Sequence, residues 1–417
     1  MRNIVILFPG QGAQYVGMGE KLYKESLVAK RTFQKASEIL GYDLAKLCFE
    51  GNIQELSKTE NAQPAILTAS VAAYKVLLEK LPLRAKFMAG HSLGEITALT
   101  CAGAIKFSDA VKIVQARGRF MQEAVAIGMG AMAAVGDIDK EIVEEECRKN
   151  YSDDSIVVVS NYNSPNQIVI SGYSEAVDKV GKILKDKGAV VTPLKVSAPF
   201  HSPLMKKASE KFKEELKKYS FIKPECTVIS NLTALPYAGE ATIINTLATQ
   251  IIRPVQWEAS MEYIENHGGE VSIDIGPGKV VKNLMIKNSN DIVSLSFEND
   301  DFETLKEEVE MDDNLNTFKH TIVTKSIAIA VCTRNRNWDN EEYNKLVIEP
   351  YKKMQIIQDI IEKENRTPTV EEMQEALDIM ISIFNGKKVP IQEQKERFRE
   401  IFEETNTKEL FPDFKLV

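Results

Sequence analysis

Histidine is scarce in this chain: four occur in 417 residues, His91, His201, His267 and His320. Chemistry that needs an imidazole base therefore has few places to find one. The five cysteines (Cys48, Cys101, Cys147, Cys226, Cys332) lie far apart, and no pair has metal-ligand spacing. An odd, scattered set excludes a disulfide framework and reads as buried, inert thiols in a reducing compartment. No apolar run approaches the length that spans a bilayer. Residues 4–8 are apolar but too short for a secretory leader, and they run straight into Pro9-Gly10-Gln11-Gly12; a cytoplasmic protein is expected. Positive charge is in deficit, with 52 Lys and Arg against 60 Asp and Glu and a net charge of -8. No basic stripe with interleaved aromatics appears, which excludes nucleic acid as a partner. Repeats and low-complexity segments are also missing. What remains, 44% hydrophobic and 27% charged residues, suits globular material of two or three structural units. An acidic protein that handles an acidic substrate must place its positive charge locally, so single arginines matter.

The densest local signal is Gly90-His91-Ser92-Leu93-Gly94-Glu95. It holds G-x-S-x-G, the pattern of a sharp strand-to-helix turn that lifts a serine hydroxyl out of the backbone. Phe87-Met88-Ala89 would end a buried strand, and Glu95 to Ala104 reads as a closely packed helix. A side chain at either glycine would crowd the turn. Leu93 opens the helix, so its N–H lacks an intrahelical acceptor and is placed to stabilise an oxyanion. On the pattern alone, a chance Gly-Ser-Gly turn is the competing reading.

Element patterns are α/β. Ile4 to Phe8 reads as a buried strand, Asn61-Ala62-Gln63-Pro64 as a helix start, and Ser108 to Ala124 as a helix. From Met129 the texture changes: strand Ala131–Val135, helix Asp137–Lys149, strands Ile156–Ser160 and Gln167–Ser171 around the turn Asn163-Ser164-Pro165-Asn166, helix Ser174–Lys187, and strand Ala189–Val196. That β-α-β-β-α-β order is ferredoxin-like. Strands at Val228–Asn231 and Val271–Ile275 then resume the larger unit, and Gly276-Pro277-Gly278 opens a helix. The expected architecture is an α/β-hydrolase-like catalytic subdomain (1–128 and 197–305), an inserted ferredoxin-like subdomain (129–196) and a mainly helical C-terminal extension (306–417). Met311-Asp312-Asp313-Asn314 is the polar break before the extension. Its helices are read at Glu341–Lys363, Val370–Phe384, where Thr369 and Glu372 have capping-box spacing, and Gln392–Glu404.

A serine hydroxyl needs a base. His91 neighbours Ser92, and adjacent side chains at a turn point apart. His267 reads as an exposed helix end, and His320 lies in the extension. His201, in Ala198-Pro199-Phe200-His201-Ser202-Pro203, falls where the small unit ends and the large one resumes, a boundary that favours a cleft. The order Ser then His is that of α/β hydrolases, whose acid falls between the two. Asp153, Asp154 and Asp178 lie there without a strand-end setting. The expectation is a Ser-His pair oriented by something other than a carboxylate.

Six motifs in order resemble the malonyl-CoA:acyl carrier protein transacylases and the acyltransferase domains of fatty acid and polyketide synthases. They are Phe8-Pro9-Gly10-Gln11-Gly12-Ala13-Gln14, the Ser92 motif, Gln115-Ala116-Arg117-Gly118-Arg119-Phe120-Met121-Gln122, Asn163-Ser164-Pro165-Asn166-Gln167, the His201 motif, and Gly276-Pro277-Gly278. The resemblance covers about residues 1–300. It implies that Ser92 takes malonyl from malonyl-CoA with His201 as base, and passes it to the phosphopantetheine thiol of an acyl carrier protein. It implies an oxyanion hole from the backbone N–H groups of Gln11 and Leu93, and a backbone carbonyl at Gln250 that orients the histidine. It implies that Arg117 binds the malonyl carboxylate, as a planar guanidinium does bidentately. A bulky Phe200 goes with malonyl rather than methylmalonyl. His91 and Asn163 are expected in the pocket, with no bound cofactor and no metal. By spacing alone Arg117 is a surface helix residue; the resemblance reverses that.

The extension departs from the stand-alone enzymes. It resembles tails on discrete acyltransferases that serve polyketide or hybrid peptide–polyketide synthases in trans. Trp338, Phe411 and Phe414 read as packing anchors. A helical collar and a docking surface for a synthase or carrier protein are both open, since amphipathic helices serve either. Two other functions compete with malonyl transfer: an acyl hydrolase on the same scaffold, which would have no use for Arg117, and a non-catalytic docking protein.

Overall fold

A computed structural model describes residues 2–310 and 321–414, apart from Ile127, Lys195, Ser197, Asn365, Asn406 and Asp413. The polar break at 311–314 and His320 lie outside the described residues. The chain divides into two compact units, Arg2–Glu310 and 311–417. The described strands are β1 (Ile4–Phe8), β2 (Ala85–Gly90), β3 (Gly130–Gly136), β4 (Val157–Ser164), β5 (Gln167–Tyr173), β6 (Val190–Pro193), β7 (Thr227–Val228), β8 (Val255–Gln256), β9 (Val271–Asp274) and β10 (Val293–Ser296).

All ten strands belong to the first unit. Five form a parallel sheet in the order β10-β9-β1-β2-β7. Every residue of β1 is buried, as expected of a central strand covered by helices on both faces. Phe8 pairs with Gly90. The loop after β1, with Pro9 to Gly12, therefore emerges beside the turn after β2 at one edge of the sheet. The second sheet has the order β6-β3-β5-β4-β8, antiparallel except for the β4–β8 pair. Helices Lys140–Lys149 and Ser174–Asp186 cover it with Val143, Cys147, Val177, Val180 and Leu184.

Several elements differ from expectation. β4 continues through Asn163 and Ser164, leaving a two-residue hairpin turn at Pro165-Asn166. Asn163 is thus a strand residue. The helix expected from Asp137 begins at Lys140, because Asp137 takes a left-handed φ of 59°. The helix expected to start at Asn61-Ala62-Gln63-Pro64 spans Thr59–Lys80, with Pro64 inside it. β7 is two residues long, and Ser230 and Asn231 leave the sheet. The edge strand β10 is four residues long and β8 two, too short to stand out from the chain around them.

The second unit is helical, with helices Ile322–Cys332, Asn340–Tyr343, Glu349–Glu364, Val370–Gly386 and Ile391–Thr405. Its core gathers Ile322, Val323, Met380, Ile383, Phe384 and Ile401. Thr369 and Glu372 form the capping box that their spacing foretold. Phe411 and Phe414 pack into this core, but Trp338 is 91% exposed and anchors nothing. Helix Ile322–Cys332 has no periodic signature in the sequence: it is apolar nearly all round, without a stripe. Cys332 is exposed while Cys48 and Cys147 are buried, so the thiols are not uniformly buried. No helix among the described residues is long and apolar enough to cross a membrane.

Candidate active site

The turn between β2 and helix Leu93–Cys101 holds Ser92 at φ 51° and ψ -100°, a conformation costly for a residue with a Cβ. Its surroundings compel it. A Cβ on Gly90 would lie 1.9 Å from Gly94 backbone atoms, and one on Gly94 would lie 2.3 Å from the Phe8 carbonyl oxygen. Neither contact is possible, so both glycines are steric requirements of the elbow. The Ser92 N–H donates to Asn231 Oδ1 at 2.7 Å, and Asn231 Nδ2 donates to the Gly90 carbonyl at 2.8 Å. Asn231 thereby pins both sides of the turn.

His201 also has positive φ, 57°. Its Nε2 lies 2.7 Å from Ser92 Oγ, and its Nδ1 lies 2.8 Å from the Gln250 carbonyl oxygen. A carbonyl only accepts, so Nδ1 carries the proton and Nε2 is left to accept from the serine. Burial, with the Arg117 charge second, pushes the imidazole pKa down to about 3. The His201 ring is therefore neutral at neutral pH. No carboxylate touches the ring among the described residues.

Arg117 comes from the helix Phe107–Glu123 and is 1% exposed, not a surface residue. Nη1 donates to Gln63 Oε1 at 3.0 Å; Nη2 donates to Gln250 Oε1 at 2.8 Å and to Ser92 Oγ at 3.2 Å. Nε has no partner among the described residues. Burial lowers its pKa to about 10, and the Glu95 charge opposes the shift. The guanidinium stays charged, held beside Ser92 Oγ.

These groups face a cavity of about 390 Å³ between the two sheets. Gly10 and Gln11 form one wall, Met121, Met132 and Phe200 give apolar surface, and Asn161, Asn163 and Gln167 bring polar atoms from β4 and β5. Met129, in contrast, is exposed. Gln11 lines the cavity; Leu93 is the first residue of its helix and its side chain is buried. His91 lies within the cavity wall, its Nε2 2.9 Å from Asn163 Oδ1 and its ring 5.4 Å from that of Trp257. Burial lowers its pKa, so it is a neutral polar group.

The structure gathers Gln11, His91, Ser92, Leu93, Arg117, Asn163, Phe200, His201 and Gln250 into one region. Reading the sequence missed Gln63, Glu95 and Asn231. Gln63 had one signal, a polar residue within the apolar stretch 62–67. Asn231 had none, because its role depends on where β7 ends beside β2.

Residues 5–291 match the acyl transferase domain family. A Bacillus subtilis malonyl CoA-acyl carrier protein transacylase is 38% identical over 395 residues, covering 94% of this chain and 99% of that protein. The similarity thus includes the second unit. An Escherichia coli K12 protein of the same name is 43% identical over 285 residues, 68% of this chain and 92% of its own length. Among solved structures, a type II PKS acyl-carrier protein in complex with its malonyl-transacylase matches with TM-score 0.71 and 38% identity, covering 74% of this chain and 100% of that one. A malonyl CoA-acyl carrier protein transacylase from Clostridium perfringens matches with TM-score 0.69 and 40% identity, over 74% of this chain and 96% of its own. A strained serine, a neutral histidine and a buried arginine at one cavity, together with these relatives, make the chain a member of the acyl transferase family, among the malonyl CoA-acyl carrier protein transacylases.

Proposed function

We propose that this chain is an S-malonyltransferase that moves malonyl from malonyl-CoA to the phosphopantetheine thiol of an acyl carrier protein, through an ester on Ser92. His201 Nε2 takes the hydroxyl proton as Ser92 Oγ attacks the thioester carbonyl. The oxyanion that forms is met by the N–H groups of Gln11 and Leu93. Collapse breaks the C–S bond; His201 returns its proton to the departing CoA sulfur, leaving malonyl-Ser92. The carrier thiol then gives its proton to His201 and attacks the ester, and Ser92 leaves with that proton. Arg117 holds the malonyl carboxylate through both halves, Gln250 orients His201 through its carbonyl, and His91, Asn163 and Phe200 shape the pocket.

The observation that carries this reading is the meeting of two groups at one atom. Ser92 Oγ stands 2.7 Å from the base His201 and 3.2 Å from the Arg117 guanidinium. A base alone suits any acyl transfer; a buried cation beside the nucleophile suits an acyl group that carries an anion. Incubation with labelled malonyl-CoA should leave a label on Ser92 that passes to carrier protein. Rapid release of free malonate instead would favour the hydrolase.

The proposed division keeps a parallel-sheet catalytic subdomain of α/β-hydrolase type and a ferredoxin-like insertion (129–196), but the start of the helical extension moves from 306 to 311, because helix Phe302–Glu310 packs Leu305 and Val309 into the core of the first unit. The β6-β3-β5-β4 order of the second sheet is what the β-α-β-β-α-β chain path requires of a ferredoxin-like unit. The extension is read as either a helical collar or a docking surface for a synthase or carrier protein, and the protein as cytoplasmic, serving fatty acid or polyketide synthesis without a bound cofactor.

A further inference from the structure

We propose that Glu95 is a positioning residue for malonyl transfer: its buried carboxylate fixes the side-chain amide of Gln250, and Gln250 in turn aims both His201 and Arg117 at Ser92. This rests on the functional reading above and extends it to a residue three positions after the nucleophile.

Glu95 is 0% exposed. Burying a carboxylate is costly unless donors compensate it. Here the donors converge. Glu95 Oε2 accepts from Gln250 Nε2 at 2.5 Å. Oε1 accepts from the Tyr237 hydroxyl at 2.6 Å and from the Asn231 N–H at 3.2 Å. An amide in its place would turn an N–H₂ toward one of these donors.

Gln250 is the hub. Its Nε2 also donates to the Ser92 carbonyl at 2.8 Å, and its Oε1 accepts from Arg117 Nη2 at 2.8 Å. Its own carbonyl accepts from His201 Nδ1 at 2.8 Å. The two ends of an amide are nearly the same shape, so its orientation is decided by what flanks it. Glu95 on one side demands the N–H₂; Arg117 on the other demands the oxygen. A flip would set oxygen against carboxylate and N–H₂ against guanidinium. The acid that seemed missing from the Ser-His pair is present, one residue removed from the imidazole.

The charged and titratable groups around Glu95 are few. Tyr237, Ser230 and Asn231 face it from the segment after β7, Gln250 from the end of helix Glu240–Gln250, and Arg117 from across the Gln250 amide. Burial raises the Glu95 pKa to about 7, against the pull of its donors, while His201 is pushed down to about 3. Within this network Glu95 is the group that titrates near neutrality. Protonation removes an acceptor on which Gln250 depends.

The test is the pH dependence of kcat/KM for acylation of Ser92 by malonyl-CoA, in the full chain. The unaltered protein should lose activity on the acid side with a midpoint near 7. Glu95→Gln should lower kcat/KM by about 10–100-fold, the usual effect of removing an orienting partner. It should lower kcat, raise the KM for malonyl-CoA and erase the acid limb; a merely structural role would leave the limb in place. Tyr237→Phe removes a donor that stabilises the charged form, so it should move the limb to higher pH. An unaltered protein with no acid limb within about one pH unit of 7 overturns the proposal, even if Glu95→Gln fails to fold. So does Glu95→Gln with undiminished kcat/KM, or Tyr237→Phe with an unmoved limb. Failure of the unaltered protein to label Ser92 would instead defeat the functional reading itself.

Discussion

Replacing Arg117 by alanine removes the only cation that hydrogen-bonds Ser92 Oγ among the described residues. In the malonyl complex the acyl carboxylate would then sit in a cavity lined by Met121, Met132 and Phe200 without a charged partner. Removing one member of a buried ion pair costs about 3–5 kcal/mol, most of it the desolvation of the charge left behind. At about 1.4 kcal/mol per decade, that is a loss of roughly 10²–10⁴ in kcat/KM for malonyl-CoA. An uncharged acyl-CoA never used that pair, and its rate should change far less. The ratio of malonyl to acetyl acylation of Ser92, read from parallel burst experiments, should therefore fall by the same factor. Arg117→Lys should lie between, since it keeps the charge but loses the planar fork. The substitution has a second consequence: His201 loses the positive neighbour that helps hold its pKa down, so the imidazole pKa should rise. An Arg117→Ala protein that keeps its malonyl preference would refute the carboxylate-clamp argument.

Ser92→Ala should take up no malonyl label, and carrier loading should drop to background; undiminished loading would rule out catalysis at this serine. Asn231→Ala leaves the strained Ser92 N–H without its acceptor and should cost about 1–3 kcal/mol of stability, visible as a lower melting temperature along with slower acylation. Gly94→Ala should yield no folded, active protein, because its Cβ would stand 2.3 Å from the Phe8 carbonyl; wild-type activity would contradict the elbow geometry. Burial raises the Asp274 pKa to about 8 from 3.8. A carboxyl with a raised folded pKa contributes stability at low pH that is lost as pH climbs through that window. Asp274→Asn should therefore flatten the decline in melting temperature between those two values, and an unchanged slope would show that this carboxyl does not drive it.

Much of the site was legible because it is built from short motifs whose spacing has a local cause. The elbow is one: Gly90 is required by a contact within the turn itself, although Gly94 answers to the Phe8 carbonyl on β1 and Ser92 to Asn231. The scarcity of histidine singled out His201. The helix ends at Thr369 and Glu372 were readable for the same local reason. Gln250 and Arg117 were reached by family likeness, because nothing in their own neighbourhoods marks them. Glu95 lies within the motif, but nothing local marks it as buried, because a glutamate in a first helical turn usually faces water.

Composition and spacing alone marked Ser92 and His201 as candidates and gave the α/β character and the change of texture at Met129 and beyond the first 300 residues, since these are written in short stretches of chain. Tertiary structure decided that Arg117 is buried rather than exposed, that Asn163 belongs to a strand facing the cavity, that Trp338 anchors nothing, and that Asn231, Gln250 and Glu95 form a hydrogen-bonded cluster under Ser92 to which Arg117 joins Gln63. The residues of this network are separated by up to 187 positions. Whether a polar side chain so placed is a surface ornament or a buried partner depends on which strand ends fall side by side in the sheet, and that is set by the packing of the whole unit.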